Sequence, residues 1–365
     1  MGTRRGFKML YIIVGSLIGL ILIALFVLWL WSPGKVTPYY DEEGNALEGS
    51  IAEIVRLEVG ELEQGMIIKG KNENNPVLLF LHGGPGNPEY VLSKEYNIGL
   101  EDYFTVCWWD QRGSGMSYDT SIEKGGITLE QMVSDTVEVT NYLRERFGQE
   151  KIYIMGHSWG SFLGINTVFK YPELYQAYLG IGQVVNQFES EKLGYNLMLE
   201  QAGETGDQKT IDKLKEYTLN TPDDVTINYL MVRSETMNKQ GHGVFHIPKS
   251  KIQLLLPILK ANEYTLKDKY GYMAGSLLCL DQPMNQSQYT INLNETIPAL
   301  EVPVYIFHGI YDSQVSFDLS LNYYESLKAP KKAFYQFDNS AHSPFMEEAD
   351  KFMQIIKDDI LVNTK

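Results

Sequence analysis

Cysteine is scarce in this chain, with only Cys107 and Cys279 among 365 residues. The two lie in separate segments, so we expect buried free thiols, and the sequence leaves a disulfide between them open. His242 and His246 stand four residues apart, but the neighbouring glycines and proline disfavour a helix that would align them, and metal sites need three or four ligands. The sequence therefore predicts neither a metal ion nor a cofactor.

Positive charge is also in short supply. The chain has 31 lysines and arginines against 46 aspartates and glutamates, a formal net charge of −15. This excess of acid disfavours nucleic acid and anionic membrane surfaces as partners, and we attribute it to solubility. There is no internal repeat and no low-complexity stretch. The length suits one large α/β domain that carries an insertion.

One segment, 9–31, lacks charge altogether. Its 23 residues suffice to cross a bilayer about 30 Å thick as a helix. Three basic residues within 1–8 precede it and acidic residues follow, so the positive-inside rule predicts a cytoplasmic N-terminus and an extracellular remainder. A cleaved signal peptide is the alternative, but its apolar core would be shorter and would end at a small-x-small site. We predict a single-pass membrane anchor, followed by a linker at 32–45.

Beyond the linker, apolar or alternating runs predict strands, and stretches with helical periodicity predict helices. The predicted strands are 51–59, 66–71, 77–81, 103–109, 151–155, 177–181, 302–307 and 332–337, and the predicted helices among them are 128–147, 161–170, 317–327 and 347–361. The first two strands read as an antiparallel pair. The later strands alternate with helices, which indicates a doubly wound, mostly parallel sheet.

One long segment, 184–300, interrupts this alternation. It contains helical patterns, for example at 190–201 and 208–219, but no convincing run of buried strands. We therefore predict a helical cap that is inserted between two parts of one α/β core, 46–183 and 301–365.

A serine with small neighbours stands between a predicted strand and a predicted helix. The pentapeptide at 156–160 reads Gly-His-Ser-Trp-Gly. A sharp turn from strand to helix needs glycines to let the backbone pass, and it leaves the serine hydroxyl exposed. We interpret the segment as the nucleophile elbow of an α/β-hydrolase fold, with Ser158 as the nucleophile.

A serine hydroxyl is a weak nucleophile, so it needs a base that is itself oriented by an acid. In α/β-hydrolases the acid and then the histidine follow the serine along the chain, and ligands bind at the carboxyl ends of the strands. Asp312 follows the strand 302–307, and His342 follows the strand 332–337. His308 is the alternative base, but it precedes the acid. We therefore predict that Asp312 and His342 complete a triad with the serine.

The negative charge that develops on the substrate needs backbone N–H donors. The segment 82–86, His-Gly-Gly-Pro-Gly, directly follows a buried strand, where the fold requires one of these donors. We predict an oxyanion hole formed by the N–H groups of Gly84 and Trp159. Asp110 and Arg112 are expected to brace the loop beside the active site.

Three motifs, taken in order, resemble those of the proline iminopeptidase family of α/β-hydrolases. They are 82–86, then 109–117 (Trp-Asp-Gln-Arg-Gly-Ser-Gly-Met-Ser), then 156–161. The resemblance covers the catalytic core, 45–183 and 301–360, but not the apolar N-terminal segment. It implies an aminopeptidase that removes N-terminal residues, commonly proline, from short peptides through an acyl-enzyme.

In that family, acidic residues of the helical cap hold the free ammonium of the substrate. Here the cap lacks the tryptophan–glutamate motif of some relatives, and the first glycine loop continues as Asn-Pro-Glu at 87–89 instead of with more glycines. Five cap glutamates are available: Glu189, Glu191, Glu200, Glu204 and Glu235. Acidic residues on a helix are usually a solvated face, and we retain Glu189, Glu191 and Glu235 as candidates for substrate binding.

The same triad would serve an esterase or lipase-like enzyme that acts on small acyl esters or amides, and a membrane location suits lipid substrates. A non-catalytic binding module on this scaffold is a second alternative, although here every catalytic part has a candidate. An epoxide hydrolase or dehalogenase is disfavoured, because those relatives carry an aspartate in place of Ser158. The leading prediction is a membrane-anchored serine aminopeptidase with its catalytic domain outside the cell and small peptides as substrates.

Overall fold

An eight-stranded sheet runs through the centre of the protein in a computed structural model, which describes residues 2–364 and the side chains of residues 7 and 9–364. The strands are β1 (Ile51–Val59), β2 (Leu62–Gly70), β3 (Val77–Leu81), β4 (Thr105–Trp109), β5 (Ile152–His157), β6 (Tyr175–Ile181), β7 (Val304–Gly309) and β8 (Lys332–Phe337). Their order is β1-β2-β4-β3-β5-β6-β7-β8. Only the β1–β2 and β2–β4 pairs are antiparallel, so the mostly parallel sheet expected from the sequence is confirmed.

Helices pack on both faces of this sheet and form the segment between β6 and β7, and one further helix precedes β1 without packing on the sheet. They are α1 (Gly2–Leu30), α2 (Tyr90–Glu95), α3 (Leu129–Phe147), α4 (Trp159–Lys170), α5 (Gln187–Glu204), α6 (Gln208–Leu214), α7 (Ile227–Gln240), α8 (Lys251–Lys260), α9 (Leu266–Leu280), α10 (Pro283–Thr290), α11 (Leu293–Thr296), α12 (Phe317–Ser326), α13 (Pro344–Glu347), α14 (Ala349–Ile355) and α15 (Leu361–Asn363). A π-helical turn, Ile356–Ile360, joins the last two.

Both faces of the sheet are covered, as the continuous apolar strands require. Alternate residues of β3 show this directly. Leu79 and Leu81 belong to one buried cluster, and Leu78 and Phe80 belong to another on the opposite face. Because the strands from β3 to β8 are parallel, their carboxyl ends lie at one edge of the sheet. The loops that follow these strands can meet there. Both cysteines of the chain are buried and free.

The helical cap consists of α5 to α11, which lie between β6 and β7 in the chain. The helix expected at 208–219 ends at Leu214. The hydroxyl of Tyr195 lies 3.1 Å from the backbone carbonyl oxygens of both Leu214 and Tyr217, so its one proton is shared between two acceptors where the helix ends.

The C-terminal helix expected at 347–361 begins at Ala349, two residues later than expected, and continues through α14, the π-helical turn and α15. The structure has two short helices, α13 and α14, with a break at Glu348, whose backbone is not helical. The break allows two adjacent carboxylates to face the preceding loop: Glu347 Oε2 accepts from the Ala341 N–H at 2.8 Å, and Glu348 Oε2 accepts from the Asn339 N–H at 3.0 Å. These bonds fix the loop that carries His342.

The apolar N-terminal segment forms α1. Its residues Met9–Leu30 are long and apolar enough to cross a membrane, and none of this span is buried against the rest of the protein. A signal sequence near the N-terminus can also meet this criterion of length and composition. The chain leaves the helix beside the cap. The ammonium of Lys269 in α9 donates to the carbonyl of Trp31 at 2.7 Å and to the hydroxyl of Ser32 at 2.9 Å.

Candidate active site

The turn between β5 and α4 holds Ser158 in a conformation that few residues adopt. Its φ of 54° and ψ of −121° lie outside the regions allowed to ordinary side chains. The flanking positions admit only glycine: a Cβ on Gly156 would lie 2.1 Å from the carbonyl oxygen of Gly160, and one on Gly160 would lie 2.0 Å from that of Leu81. Strain of this kind concentrates at functional sites, where the surrounding structure maintains it.

Asp312 and His342 form a hydrogen-bonded pair at the carboxyl ends of β7 and β8. Asp312 Oδ2 lies 2.7 Å from His342 Nδ1, and Oδ1 accepts from the backbone N–H groups of Gln314 and Val315, both at 3.0 Å. Burial alone would raise the pKa of Asp312, but the two histidines around it hold that pKa well below its usual range. Burial lowers the pKa of His342, and the attraction of Asp312 offsets this only in part. The pair is therefore an ionised acid beside a neutral base.

His308, the alternative base, contacts the same carboxylate. Its Nε2 lies 3.0 Å from Asp312 Oδ2 and 3.2 Å from the carbonyl of Val315, and its side chain is fully buried. It is not one of the described residues that line the cavity beside the serine. His308 therefore holds Asp312 in position from the protein interior, whereas His342 lines the cavity.

One cavity of about 400 Å³ brings the predicted catalytic parts together. Ser158, His342 and Gly84 line it from the core. Arg233 and Tyr289 line it from the cap helices α7 and α10. The site thus lies between core and cap, at the edge of the sheet where the parallel strands end.

The glycine loop after β3 passes next to Ser158. A Cβ on Gly83 would lie 3.1 Å from Ser158 Cβ, so a larger residue would press on the serine. Gly84 has a φ of 115°, and neither its N–H nor that of Trp159 donates to an acceptor among the described residues. Both amides are therefore free to bind an anionic oxygen. His82 braces the loop, with Nε2 3.1 Å from the hydroxyl of Ser114.

Asp110 and Arg112 have structural partners, as expected. Asp110 accepts from the N–H of Met116 at 2.8 Å and from the hydroxyl of Tyr264 at 3.0 Å, and Arg112 is ion-paired to Asp135 at 2.6 Å. These contacts tie the loop after β4 to the cap and to α3. Within the part of the chain that the structure describes, no cluster of His, Cys, Asp and Glu is arranged to hold a metal ion.

Comparisons with known proteins agree with this geometry. A family model described as the alpha/beta hydrolase fold matches residues 76–349. The chain belongs to the α/β-hydrolase family. It is 35% identical over 303 residues to a probable aminopeptidase, YbaC, of Bacillus subtilis (strain 168), an alignment that covers 83% of this chain and 94% of the relative. A proline iminopeptidase of Saccharolobus solfataricus is 26% identical over 313 residues, which cover 80% of this chain and 86% of the relative.

Within the family, this hydrolase groups with the peptidases that resemble proline iminopeptidases. The crystal structure of a proline iminopeptidase of Mycobacterium smegmatis aligns with a TM-score of 0.61 at 14% identity, covering 86% of this chain and 99% of that one. At that identity the structural likeness shows the fold alone.

None of the three glutamates selected from the cap sequence is among the described residues that line the cavity. Glu189 is half-exposed and ion-paired to Lys192, and Glu235 is exposed, 3.5 Å from Lys213. Glu191 is fully buried. Because the helices of the cap turn these side chains outward or into the cap interior, the cavity receives its charges from other residues.

Glu89 is the one carboxylate among the described residues that line the cavity. A Cβ on Gly83 would lie 3.5 Å from Glu89 Oε1 and 3.1 Å from Ser158 Cβ, so the carboxylate lies close to Ser158. Its other oxygen, Oε2, is buried and has no hydrogen-bond partner in the described structure. In the sequence, Glu89 belongs to the Asn-Pro-Glu segment 87–89, which stands where many relatives have more glycines. That difference is the sequence signal that could have identified Glu89.

His157 connects Glu89 to the base. Its Nδ1 contacts Glu89 Oε1, and its Nε2 lies 2.8 Å from the backbone carbonyl of His342. A carboxylate and a carbonyl are both acceptors, so this arrangement favours a proton on each ring nitrogen. Burial lowers the pKa of His157, but the contact with Glu89 outweighs it and the net shift is upward. His157 thus ties the His342 loop to Glu89, and its protonated form, which this contact favours, balances the charge of the carboxylate.

Proposed function

We propose that this hydrolase is a membrane-anchored serine aminopeptidase that releases the N-terminal residue, proline or another small or apolar one, from short peptides. The observation that carries the proposal is that His342, hydrogen-bonded to Asp312, lines the same cavity as the strained Ser158. The names of its relatives, a probable aminopeptidase and proline iminopeptidases, support a peptide substrate.

In the proposed reaction, Ser158 Oγ attacks the scissile carbonyl carbon while His342 Nε2 accepts the hydroxyl proton. Asp312 stabilises the imidazolium that forms, and the N–H groups of Gly84 and Trp159 bind the oxyanion. His342 then gives its proton to the leaving amine. Water, activated by the same histidine, hydrolyses the acyl-enzyme.

An exopeptidase must also recognise the free ammonium of its substrate. We assign this role to Glu89 in place of Glu189, Glu191 and Glu235, because Glu89 lies beside the nucleophile and its Oε2 lacks a partner. The protonated form of His157 balances the carboxylate charge, so recognition rests on the hydrogen bond to Oε2 more than on net attraction. A charge-assisted hydrogen bond of this kind contributes about 1.5–3 kcal/mol.

The membrane anchor is supported by the uncharged helix Met9–Leu30 and by the basic residues before it. An uncleaved anchor leaves the mature chain with its full mass, whereas a signal peptide would remove this helix. Mass spectrometry of the protein from its native membrane distinguishes the two. Protease accessibility in intact cells then tests the extracellular orientation of the catalytic domain.

An esterase acting on small acyl esters is the second candidate. Apolar side chains line part of the cavity, including Leu230 and Val244 of the cap and Leu254 of α8, and they would accept an acyl chain. The triad chemistry is the same for both reactions, so the two candidates differ in their need for a free ammonium.

An activity profile on the purified full chain in detergent tests both candidates. A serine-reactive phosphonate should label the wild type at Ser158 and fail to label Ser158→Ala. The enzyme is then compared on a prolyl amide with a free amine, on its N-blocked form and on a short acyl ester. Absence of labelling would contradict a serine hydrolase. Equal rates on the blocked and free amides, with rapid ester turnover, would favour the esterase.

A further inference from the structure

Arg233 of α7 is buried in the cavity wall with few partners. Its side chain is 11% exposed, and it has five N–H donors. Nη2 makes one long hydrogen bond, 3.5 Å to the carbonyl of Gln314, and Nε makes none. Buried polar groups are nearly always satisfied, so an arginine in this state in the wall of the cavity that Ser158 lines indicates that a ligand supplies its acceptor.

The ion pair that Arg233 forms does not supply that acceptor. Glu191 Oε2 lies 3.0 Å from Arg233 Nε but outside hydrogen-bond geometry. Glu191 is itself satisfied by the amide of Gln187 at 3.0 Å and the hydroxyl of Tyr229 at 3.1 Å. The glutamate therefore compensates the charge of the buried arginine and fixes its position, while the guanidinium edge that carries Nη1 stays without a hydrogen bond in the described part of the chain.

Gln314 provides a second unused donor in the same wall. The side-chain Nε2 of Gln314 is buried and has no hydrogen-bond partner among the described residues. The backbone carbonyl of the same residue is the one that accepts from Arg233. Of the ten unsatisfied buried side-chain atoms found among the described residues, four belong to residues that line this one cavity. They are Glu89 Oε2, Gln187 Oε1, Arg233 Nε and Gln314 Nε2. Such clustering is typical of a site that a polar ligand completes.

We propose that Arg233 and Gln314 form a subsite for a carboxylate, and that the substrates are very short peptides whose C-terminal carboxylate is free. The inference rests on the proposed aminopeptidase function, in which Glu89 holds the opposite, ammonium end. Arginine suits a carboxylate because its planar fork donates two parallel hydrogen bonds. A cavity of about 400 Å³ is near the lower end of small-molecule sites, which fits di- or tripeptides better than longer chains.

Binding to the Ser158→Ala variant of the full chain, measured by calorimetry in detergent, tests the subsite without turnover. The ligands are Pro-Ala, Ala-Ala and Leu-Ala, each as the free acid and as the C-terminal amide. At least one acid should bind about 10- to 100-fold more tightly than its amide, the range expected for hydrogen bonds to a charged group. A ratio below threefold in every pair, or no measurable binding of any acid, would overturn the proposal.

The double variant Arg233→Met/Glu191→Gln, in the same Ser158→Ala background, removes the cation without leaving a buried charge unpaired. It should reduce binding of the acid to the level of the amide and leave the amide unchanged. An equal loss for both ligands would mean that Arg233 only maintains the fold and would overturn the subsite. Lys192→Met, on the outer face of the cap, is the matched control and should preserve the ratio.

Hydrolysis by the wild type separates this inference from the proposed function. Cleavage of acid and amide at equal rates, with equal binding, would overturn the subsite and leave the aminopeptidase intact. Preferential binding of the acid without any cleavage would overturn the aminopeptidase and support the subsite alone.

Discussion

The strain at the nucleophile predicts a stability difference between two inactive variants, Ser158→Gly and Ser158→Ala. At φ 54° and ψ −121°, a residue with a Cβ costs about 1–3 kcal/mol. Glycine avoids this cost but loses about 0.5–1 kcal/mol of conformational entropy on folding. Taking the middle of both ranges, the glycine variant should unfold with a free energy about 1 kcal/mol higher than that of the alanine variant, and neither should hydrolyse substrate.

Urea unfolding of the full chain in detergent, followed by tryptophan fluorescence, measures this difference. Ser161 supplies the matched control because it lies three residues away, inside α4, where the backbone is helical. There the order should reverse: Ser161→Gly should be about 1 kcal/mol less stable than Ser161→Ala. A glycine variant at 158 that is no more stable than the alanine variant would refute the argument that the elbow stores strain in the serine.

Three further predictions concern the chemistry. Because the pKa of His342 lies below its ordinary value of 6.5 and the base must be neutral, kcat/KM should fall with decreasing pH only below about pH 6.5; an acid limb centred above that contradicts a buried neutral base. Asp312→Asn should reduce kcat by about 10⁴-fold with an unchanged circular dichroism spectrum, whereas a loss under tenfold would exclude Asp312 as the orienting acid. Glu89→Gln should raise KM for free-amine substrates about tenfold and leave N-blocked ones unchanged; the exposed Glu95→Gln is its control, and equal effects on both substrates would remove Glu89 from ammonium recognition.

The core of the fold could be predicted because its signals are local. Each parallel strand is a short apolar run, and each chemically important residue follows such a run directly, so Asp312 and His342 could be assigned to one sheet edge by chain order alone. The elbow could be identified because two glycines flank a serine between a strand and a helix. The break at Glu348 was not predictable, because it depends on hydrogen bonds to a loop that precedes it in the chain.

The positions of the cap side chains could not be predicted from local sequence signals. The cap helices pack on each other and on the core at angles that no short pattern encodes, so the sequence could not tell which face lines the cavity. Glu189, Glu191 and Glu235 were chosen by residue type, and their surroundings differ completely: two are paired at the surface and one is buried behind Arg233. Nothing in the sequence around Arg233 distinguishes it from a solvated arginine on a helix.

In the proposed site, Glu89 and Arg233 bind opposite ends of the substrate from different parts of the protein. Among the described residues that line the cavity, the core loop beside Ser158 contributes the one carboxylate, and the cap contributes the guanidinium. The ammonium of an aminopeptidase substrate is separated from the scissile carbonyl by one carbon, so it must be bound close to the serine, where the core is rigid. The far carboxylate varies in position with peptide length. A cation on the cap, an inserted element, can therefore set which length is accepted without disturbing the chemistry at Ser158.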